Sequence, residues 1–347
     1  MRIDPFIERL VAAWPPPRWT GVGVVVGCSG GADSVGLLCG LNRIAEQYPN
    51  ERGFLVAAHF NHGLRGEASD GDEQSVRELA ESLSVRFASR RATDQDSDEA
   101  PKSDEASLRS ARTQFLIETA KSYGCRYIAV AHSADDNVET VLHNLMRGTG
   151  PAGLAGIAAH RSIDQDLVLV RPLIDVRRVE IRDFLGSIGQ PWREDASNQE
   201  VVYQRNWIRR ELIPMIETRY PDASEAIGRA TAAQRDWRSF IESAAQDWVE
   251  RQSPGGEGAG GKRAGGQGVG GEQVAVNRDF RTEPAVVIAG LQLIWDARGW
   301  PRGEMTRDHW RRLADTVAGG SDERYTLPGK IDVRPVGDCI WFAVCSV

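Results

Sequence analysis

Through the first 150 residues, short apolar runs rich in β-branched side chains alternate with longer stretches whose apolar positions recur every three to four residues. The runs Gly21–Gly27, Phe54–Phe60, Val85–Ser89 and Arg126–Ala131 predict strands, and Ser34–Gln47, Asp70–Leu83, Asp104–Tyr123 and Ala134–Leu145 predict helices. The order therefore predicts an α/β domain with a doubly wound parallel sheet, whose ligands lie at the carboxyl ends of the strands. Thr93–Asp104, dense in Asp, Ser and Glu with Pro101 inside, reads as a solvated loop between the third strand and its helix.

Beyond Gly150 the pattern changes to one short apolar run, Leu167–Val170, then helical stretches at Val176–Ile188, Arg205–Tyr220 and Ala223–Arg251. Pro254–Glu272 is glycine at 10 of 19 positions and predicts a flexible linker, too poor in apolar side chains to offset its ordering entropy. The last segment carries helix-like patterns at Ala285–Arg298 and Arg307–Val317, and strand-like runs at Arg324–Thr326, Lys330–Val333 and Cys339–Val344. The expected organisation is a catalytic domain over 1–215, a helical connector over 216–253, the linker over 254–272 and a small α+β domain over 273–347.

Composition narrows the classes. At 41% apolar and 26% charged residues the chain has material for a core, and its longest apolar runs fall far short of the roughly 18 to 20 residues that span a bilayer. Met1–Trp14 carries Arg2, Asp4, Glu8 and Arg9 within a helix-like pattern, unlike a secretion signal, so a cytoplasmic chain with no membrane partner is expected. Five cysteines with no C-x-x-C pair argue against a disulfide framework or a zinc knuckle. The net charge of −7 requires that any nucleic-acid partner meet local basic patches.

The chemistry is announced after the first run, where Ser29-Gly30-Gly31-Ala32-Asp33-Ser34 turns a strand into a helix. The two glycines admit positive φ and a close approach of backbone amides to an anion, and the helix start adds its positive dipole end. The hydroxyls of Ser29 and Ser34 are further donors. Neither G-x-x-x-x-G-K-[ST] nor G-x-G-x-x-G is present, so a loop for phosphate lacks the Walker lysine, and Asp33 is placed to hold Mg²⁺ against phosphate oxygens. His132 and Asp136 lie at i and i+4 where a helix starts and can face one site. That pair can bind metal, move a proton, or support each other, while Asp135 is a candidate helix cap.

The string Ser29–Ser34 resembles the S-G-G-x-D-S loop of the PP-loop ATP pyrophosphatases, which have the adenine nucleotide alpha hydrolase-like fold and release pyrophosphate while adenylating a substrate oxygen. Two further strings narrow the resemblance. His59-Phe60-Asn61-His62-Gly63-Leu64-Arg65 follows the second run, and Ala131-His132-Ser133-Ala134-Asp135-Asp136-Asn137-Val138-Glu139-Thr140 follows the fourth, with Arg147-Gly148-Thr149-Gly150 beyond. They are similar to the signatures of the tRNA(Ile)-lysidine synthetases. Arg171-Pro172-Leu173, Asp195-x-Ser197-Asn198 and Arg205-Asn206-x-x-Arg209 extend the likeness over about residues 20–215.

The resemblance implies a ligase acting with ATP and Mg²⁺ on an isoleucine tRNA with a CAU anticodon and on free L-lysine, with a homodimer as one possible assembly. It implies catalytic roles for Asp33, Arg112, His132 and Asp136, with Asp33 and Asp136 as metal ligands and Asp136 alternatively the general base. It implies ATP contacts from Ser29, Gly30, Gly31, Ala32, Asp33, Ser34, His59, Arg147 and Gly148, the last two alternatively architectural. For the tRNA, Arg193, Arg205 and Arg209 lie among the aromatic residues Trp192, Tyr203 and Trp207, and Arg298, Arg302, Arg307, Arg311 and Arg312 form a second basic stretch in the last domain. The rivals are an RNA thiolase of the same superfamily, which would want paired catalytic cysteines, and a nucleotide-binding module without catalysis, against which Asp33, Arg112, His132 and Asp136 count together.

Overall fold

A computed structural model describes residues 4–63, 67–92, 105–193, 204–252 and 273–344. The predicted loop at Thr93–Asp104 and linker at Pro254–Glu272 lie outside the described residues. The chain forms two compact units, Met1–Arg235 and Asp236–Val347.

In the first unit the order is α1 (Pro5–Ala13), β1 (Gly23–Gly27), α2 (Ala32–Ala45), β2 (Phe54–Asn61), α3 (Glu67–Ser82), β3 (Arg86–Arg91), α4 (Glu105–Tyr123), β4 (Cys125–Ala129) and α5 (Ala134–Met146). A short turn α6 (Pro151–Leu154), the hairpin β5 (His160–Ser162) and β6 (Val168–Val170), and α7 (Arg178–Ser187) follow. The sheet order is β3-β2-β1-β4-β6-β5, parallel except for the edge strand β5. The doubly wound parallel sheet expected from the alternation is thus present. The chain steps outward from β1 to β2 to β3, then crosses back over β1 to β4. Right-handed crossovers in opposite directions put the connecting helices on opposite faces. Accordingly Val24 and Val26 of β1 pack with side chains of α2, α3 and α7, whereas Val25 packs with Phe115, Leu116 and Ala120 of α4.

Two glycines on α2 fix how closely its neighbours lie. A Cβ on Gly40 would sit 2.8 Å from Phe6 and Leu10 of α1, and one on Gly36 would sit 2.4 Å from Ile181 of α7. α1 is started by Asp4, whose carboxylate accepts from the Phe6 amide at 2.9 Å, and Phe6 stacks on Phe184 of α7 at 4.4 Å. The predicted helix at Arg205–Tyr220 is observed in three pieces. α8 (Gln204–Trp207) widens to i→i+5 bonding over Ile208–Leu212, with the Ile213 amide on the Ile208 carbonyl, before α9 (Ile213–Arg219). Such widened turns displace one side chain around the helix, here in the segment carrying Arg209. α10 (Ala223–Gln252) begins in the first unit and ends in the second.

The second unit is a four-stranded antiparallel sheet, in the order β7-β10-β9-β8, with α11 (Pro284–Ala297) and α12 (Arg307–Val317). Its strands are β7 (Val274–Asn277), β8 (Tyr325–Leu327), β9 (Ile331–Val336) and β10 (Cys339–Val344); β7 escaped the sequence reading. Trp295 is fully buried among Trp300, Trp310 and Phe342, so Trp300 serves the core of this unit. Arg302 pairs with Asp296 at 2.6 Å, and Arg312 lies over the Tyr325 ring.

Candidate active site

The winding reverses between β1 and β4, so the loops leaving their carboxyl ends diverge and open a crevice. Ser29–Ser34 leaves β1, and His132 leaves β4. Gly30 has φ +91°, a conformation that a side chain would strain. Gly31 is the cap residue of α2 and offers no side-chain cap, so the first amides of the helix are left for an anion. The Ser34 hydroxyl closes the loop instead of reaching outward: it donates to the Gly31 carbonyl at 2.9 Å and accepts from the Ser29 amide at 3.1 Å. The Ser34 hydroxyl, expected as a donor to phosphate, is here engaged within the loop, and Ser29, exposed at the rim, has its own hydroxyl 3.2 Å from it. His59 on β2 is buried beneath the loop with Nδ1 2.9 Å from the Cys28 carbonyl. Burial lowers its pKa, so the ring is neutral and Nδ1–H donates to that carbonyl. His59 therefore supports the loop from below.

At the end of β4, Ser133 and Asp136 form a reciprocal cap of α5. The Ser133 amide donates to Asp136 Oδ2 at 2.9 Å, and the Asp136 amide to Ser133 Oγ at 3.5 Å. Capping thus falls to Ser133 and Asp136, whereas Asp135 accepts from the Arg178 amide at 2.8 Å and from Arg177 Nε at 3.3 Å. This ties α7 to α5.

One guanidinium, unremarked in the sequence, organises the site. Arg178 donates from Nε to Asp33 at 3.2 Å, from Nη2 to Asp136 at 2.5 Å and from Nη1 to the buried Glu139 at 3.0 Å. Arg209 closes the group on Glu139 at 2.6 Å and Asp136 at 3.6 Å, and Arg205 donates to Thr140 Oγ1 at 2.8 Å. The Gly36–Ile181 contact lies one turn beyond Asp33 and Arg178 on their helices, so the missing side chain sets the reach between them. Burial alone would lower the Arg178 pKa, but Asp136, Glu139 and Asp33 together hold it above its ordinary value. Asp33 goes the other way, raised by burial and by the nearby Asp136 despite Arg178. For Asp136, burial is outweighed by Arg178 and by the Ser133 hydrogen bonds, and its carboxyl stays below the usual range.

His132 stands beside this group. Burial lowers its pKa to about 4, with Arg171, Arg112 and Arg109 reinforcing the shift against Asp136, so the ring is neutral at pH 7. Its Nδ1 is buried with no hydrogen-bond partner. Arg112 of α4 is close enough to act on that ring; its own pKa is lowered, first by desolvation and then by Arg109. The structure thus brings Asp33, Arg112, His132 and Asp136 together. Arg147 and Gly148 are not brought there: they lie beyond the far end of α5, about 16 Å along the axis from Asp136 at 1.5 Å per residue. Arg193 lies against the loop itself, its amide on the Gly30 carbonyl at 3.0 Å and its side chain on Asp72 at 2.5 Å. Tyr203, Arg65, Asp195, Ser197 and Asn198 lie outside the described residues.

The donor set also bears on the metal. No group of three His, Cys, Asp or Glu among the described residues could hold an ion. Two carboxylates, Asp33 and Asp136, face the crevice, and such a set suits Mg²⁺, which takes one or two carboxylates and fills its octahedron with phosphate oxygens and water.

The family described as the PP-loop domain matches residues 7–216. The tRNA(Ile)-lysidine synthase of Rhodopirellula baltica is 42% identical over 329 residues, covering 88% of this chain and 82% of that protein. The chain belongs to the tRNA(Ile)-lysidine synthase family. The enzymes of that name from Nostoc sp. and Geobacter sulfurreducens are 34% and 37% identical over 65% and 66% of the chain. The chain covers 64% and 47% of their lengths. Among solved structures, the U34-tRNA thiolase NcsA from Methanococcus maripaludis has a TM-score of 0.55 over 65% of this chain and 76% of its own, at 19% identity. That likeness is one of fold.

Proposed function

We propose that the protein is an ATP-dependent ligase that adenylates the C2 carbonyl oxygen of the wobble cytidine in an isoleucine tRNA with a CAU anticodon, and then joins the ε-amine of free L-lysine at C2, releasing AMP. Pyrophosphate leaves in the first step. The observation that carries the reading is the meeting of the uncapped start of α2 with Asp33 and Asp136 where the winding of the sheet reverses, in a chain of this family.

In this reading Gly30, Gly31 and Ala32 bind the phosphates through backbone amides, Ser29 adds its hydroxyl, and His59 keeps the loop in shape. Asp33 and Asp136 hold Mg²⁺, which when bound neutralises the triphosphate and the departing pyrophosphate. An amide-like carbonyl oxygen is a poor leaving group until it is esterified, and Arg112 beside His132 is placed to stabilise the charge that develops as it becomes so. The amine must lose a proton before it attacks C2. Asp33 and Asp136 are taken up by the metal and by Arg178 and Ser133, which gives them a placing role and leaves the neutral His132 beside them as the group to take that proton. We assign residues 1–215 to catalysis, 216–253 to the connector and 273–347 to the body of the tRNA. Arg193, with about half of its side chain open (46%), is the RNA contact we retain; Arg205 and Arg209 are assigned to ordering α5. A cytoplasmic location and a homodimer belong to the same reading.

The thiolase alternative wants reactive thiolates. Cys28, Cys39 and Cys125 are buried, and burial pushes Cys39 up to about 12 and Cys125 up to about 11. The test is to incubate the protein with ATP, radiolabelled lysine and unmodified isoleucine tRNA. Label in the RNA is expected; label absent despite ATP consumption would refute the reading.

A further inference from the structure

Among the described residues, the arginines near His132 differ from Arg178 and Arg209 in having no carboxylate partner. Arg171 follows directly on β6, whose last carbonyl, on Val170, accepts from the Val130 amide at 3.0 Å, two residues before His132. Its amide donates to the Ala159 carbonyl at 2.7 Å and its Nη1 to the Ala158 carbonyl at 2.7 Å, so it spans the root of the β5–β6 hairpin. Arg161 sits on the edge strand β5, opposite Leu169, and is exposed. Arg109 and Arg112 stand one turn apart on α4 and are exposed as well. Among the described residues no carboxylate pairs with Arg109, Arg112, Arg161 or Arg171. The Nε of Arg171 is buried without a hydrogen-bond partner, as is Nδ1 of His132. Repulsion from Arg161 and Arg109 adds to desolvation in bringing Arg171 down to about 10, so these cations do sense one another.

Like charges gathered without a counter-charge are costly in a chain of net charge −7, and an anion is what relieves them. The ATP phosphates already have a place at the end of β1. β6 is two strands away from β1 and β5 three, roughly 10 and 14 Å at 4.8 Å per strand. We infer that Arg109, Arg161 and Arg171, continuous with Arg112, form a second anion site that takes the backbone phosphates of the RNA flanking the base to be modified. A polyanion laid along the edge hairpin meets Arg161 first, then Arg171, and delivers one base to the side of His132 that faces the nucleotide. The inference rests on the reading of the protein as a tRNA-modifying ligase and adds where the strand is gripped.

The test uses the full chain and unmodified isoleucine tRNA. Dissociation constants are measured between about 50 and 200 mM salt for the wild type, Arg161→Ala, Arg109→Ala and Arg126→Ala, with ATP affinity measured separately. Arg126, half-buried on β4 at the opposite end of the sheet and paired with Asp166, is the control. Arg161→Ala and Arg109→Ala are each expected to weaken tRNA binding about fivefold at mid-range salt and to reduce the salt slope by about one, with ATP affinity within twofold and Arg126→Ala unchanged. Unchanged tRNA affinity and slope in both variants would overturn the inference. So would a parallel fall in ATP affinity, which would give these arginines to the nucleotide. Arg161 is exposed on a strand edge, so its variant keeps the test readable should Arg109→Ala fold poorly. If the wild type bound tRNA with the expected salt slopes yet transferred no lysine, the functional reading would fail while the phosphate site stood.

Discussion

Two groups of arginines face the same crevice and do opposite things. Around Arg178, three carboxylates and two guanidiniums are matched in a buried web, with Glu139 only 2% exposed at its centre. Around His132, four guanidiniums stand without a paired acid among the described residues, three of them exposed. The matched group is architecture: it joins α2, α5 and α7 and fixes where Asp33 and Asp136 point. The unmatched group is incomplete by itself and is satisfied only when a ligand arrives. Net charge would never separate these roles; partner counting does.

The largest break in this comparison is expected from Arg178→Met. It leaves Asp136 and Glu139 with Arg209 and takes from Asp33 the guanidinium that holds it, and loss of one partner of a buried pair costs about 3 to 5 kcal/mol. Denaturant unfolding should show that loss, with pyrophosphate exchange down on the order of a hundredfold. Arg178→Lys should rescue little, since an ammonium cannot present three donors in a fixed fork. An unfolding midpoint equal to the wild type would mean that the web contributes no architecture.

Acid should act next, and through the other group. His132 has a folded pKa of about 4 against 6.5 for the free side chain, so the unfolded chain binds its proton first. Stability is then complete above pH 6.5 and falls as the pH drops toward 4, by up to about 3 kcal/mol at 1.36 kcal/mol per pH unit. His132→Gln should flatten that limb, and an unchanged pH profile would contradict the burial argument. Asp136, lowered from 3.8, contributes a further loss only below that pH.

A smaller effect, about 1 to 3 kcal/mol by overpacking, is expected from Gly36→Val, which drives a side chain into Ile181. Because this contact sets the Asp33–Arg178 reach, exchange should fall by more than the stability loss explains, and Gly36→Val with Ile181→Ala should recover part of it. Simple additivity of the two substitutions would sever packing from the site. At the small end, Arg161→Ala should shift stability by no more than about 0.5 kcal/mol in a thermal melt, as an exposed side chain without a partner.

What the sequence revealed follows from what is local in it. The parallel strands were legible because strands buried on both faces are written as apolar runs, and the loop at Ser29–Ser34 because positive φ at Gly30 demands glycine within a few residues of a helix start. Arg178 was not legible: it lies 145 residues from Asp33, in a helix with no motif of its own, and only the sheet order makes them neighbours. Asp135 and Asp136 exchanged roles for a local reason, since Ser133-x-x-Asp136 has the spacing of a reciprocal cap and leaves Asp135 to turn toward α7. The break at Ile208–Leu212 had no local signal, because apolar periodicity does not distinguish a helix from one carrying a widened turn. Arg147 shows the converse, a residue near the site in sequence and carried away from it by the rise of a helix.

The most direct measurement is tRNA-dependent exchange of labelled pyrophosphate into ATP. Exchange by the wild type that requires unmodified isoleucine tRNA, proceeds without lysine, and is lost in Asp33→Asn and Arg178→Met is the expected result. Absence of exchange with ATP and tRNA both bound, or exchange that continues undiminished in those two variants, would contradict an active centre built on the carboxylates around Arg178.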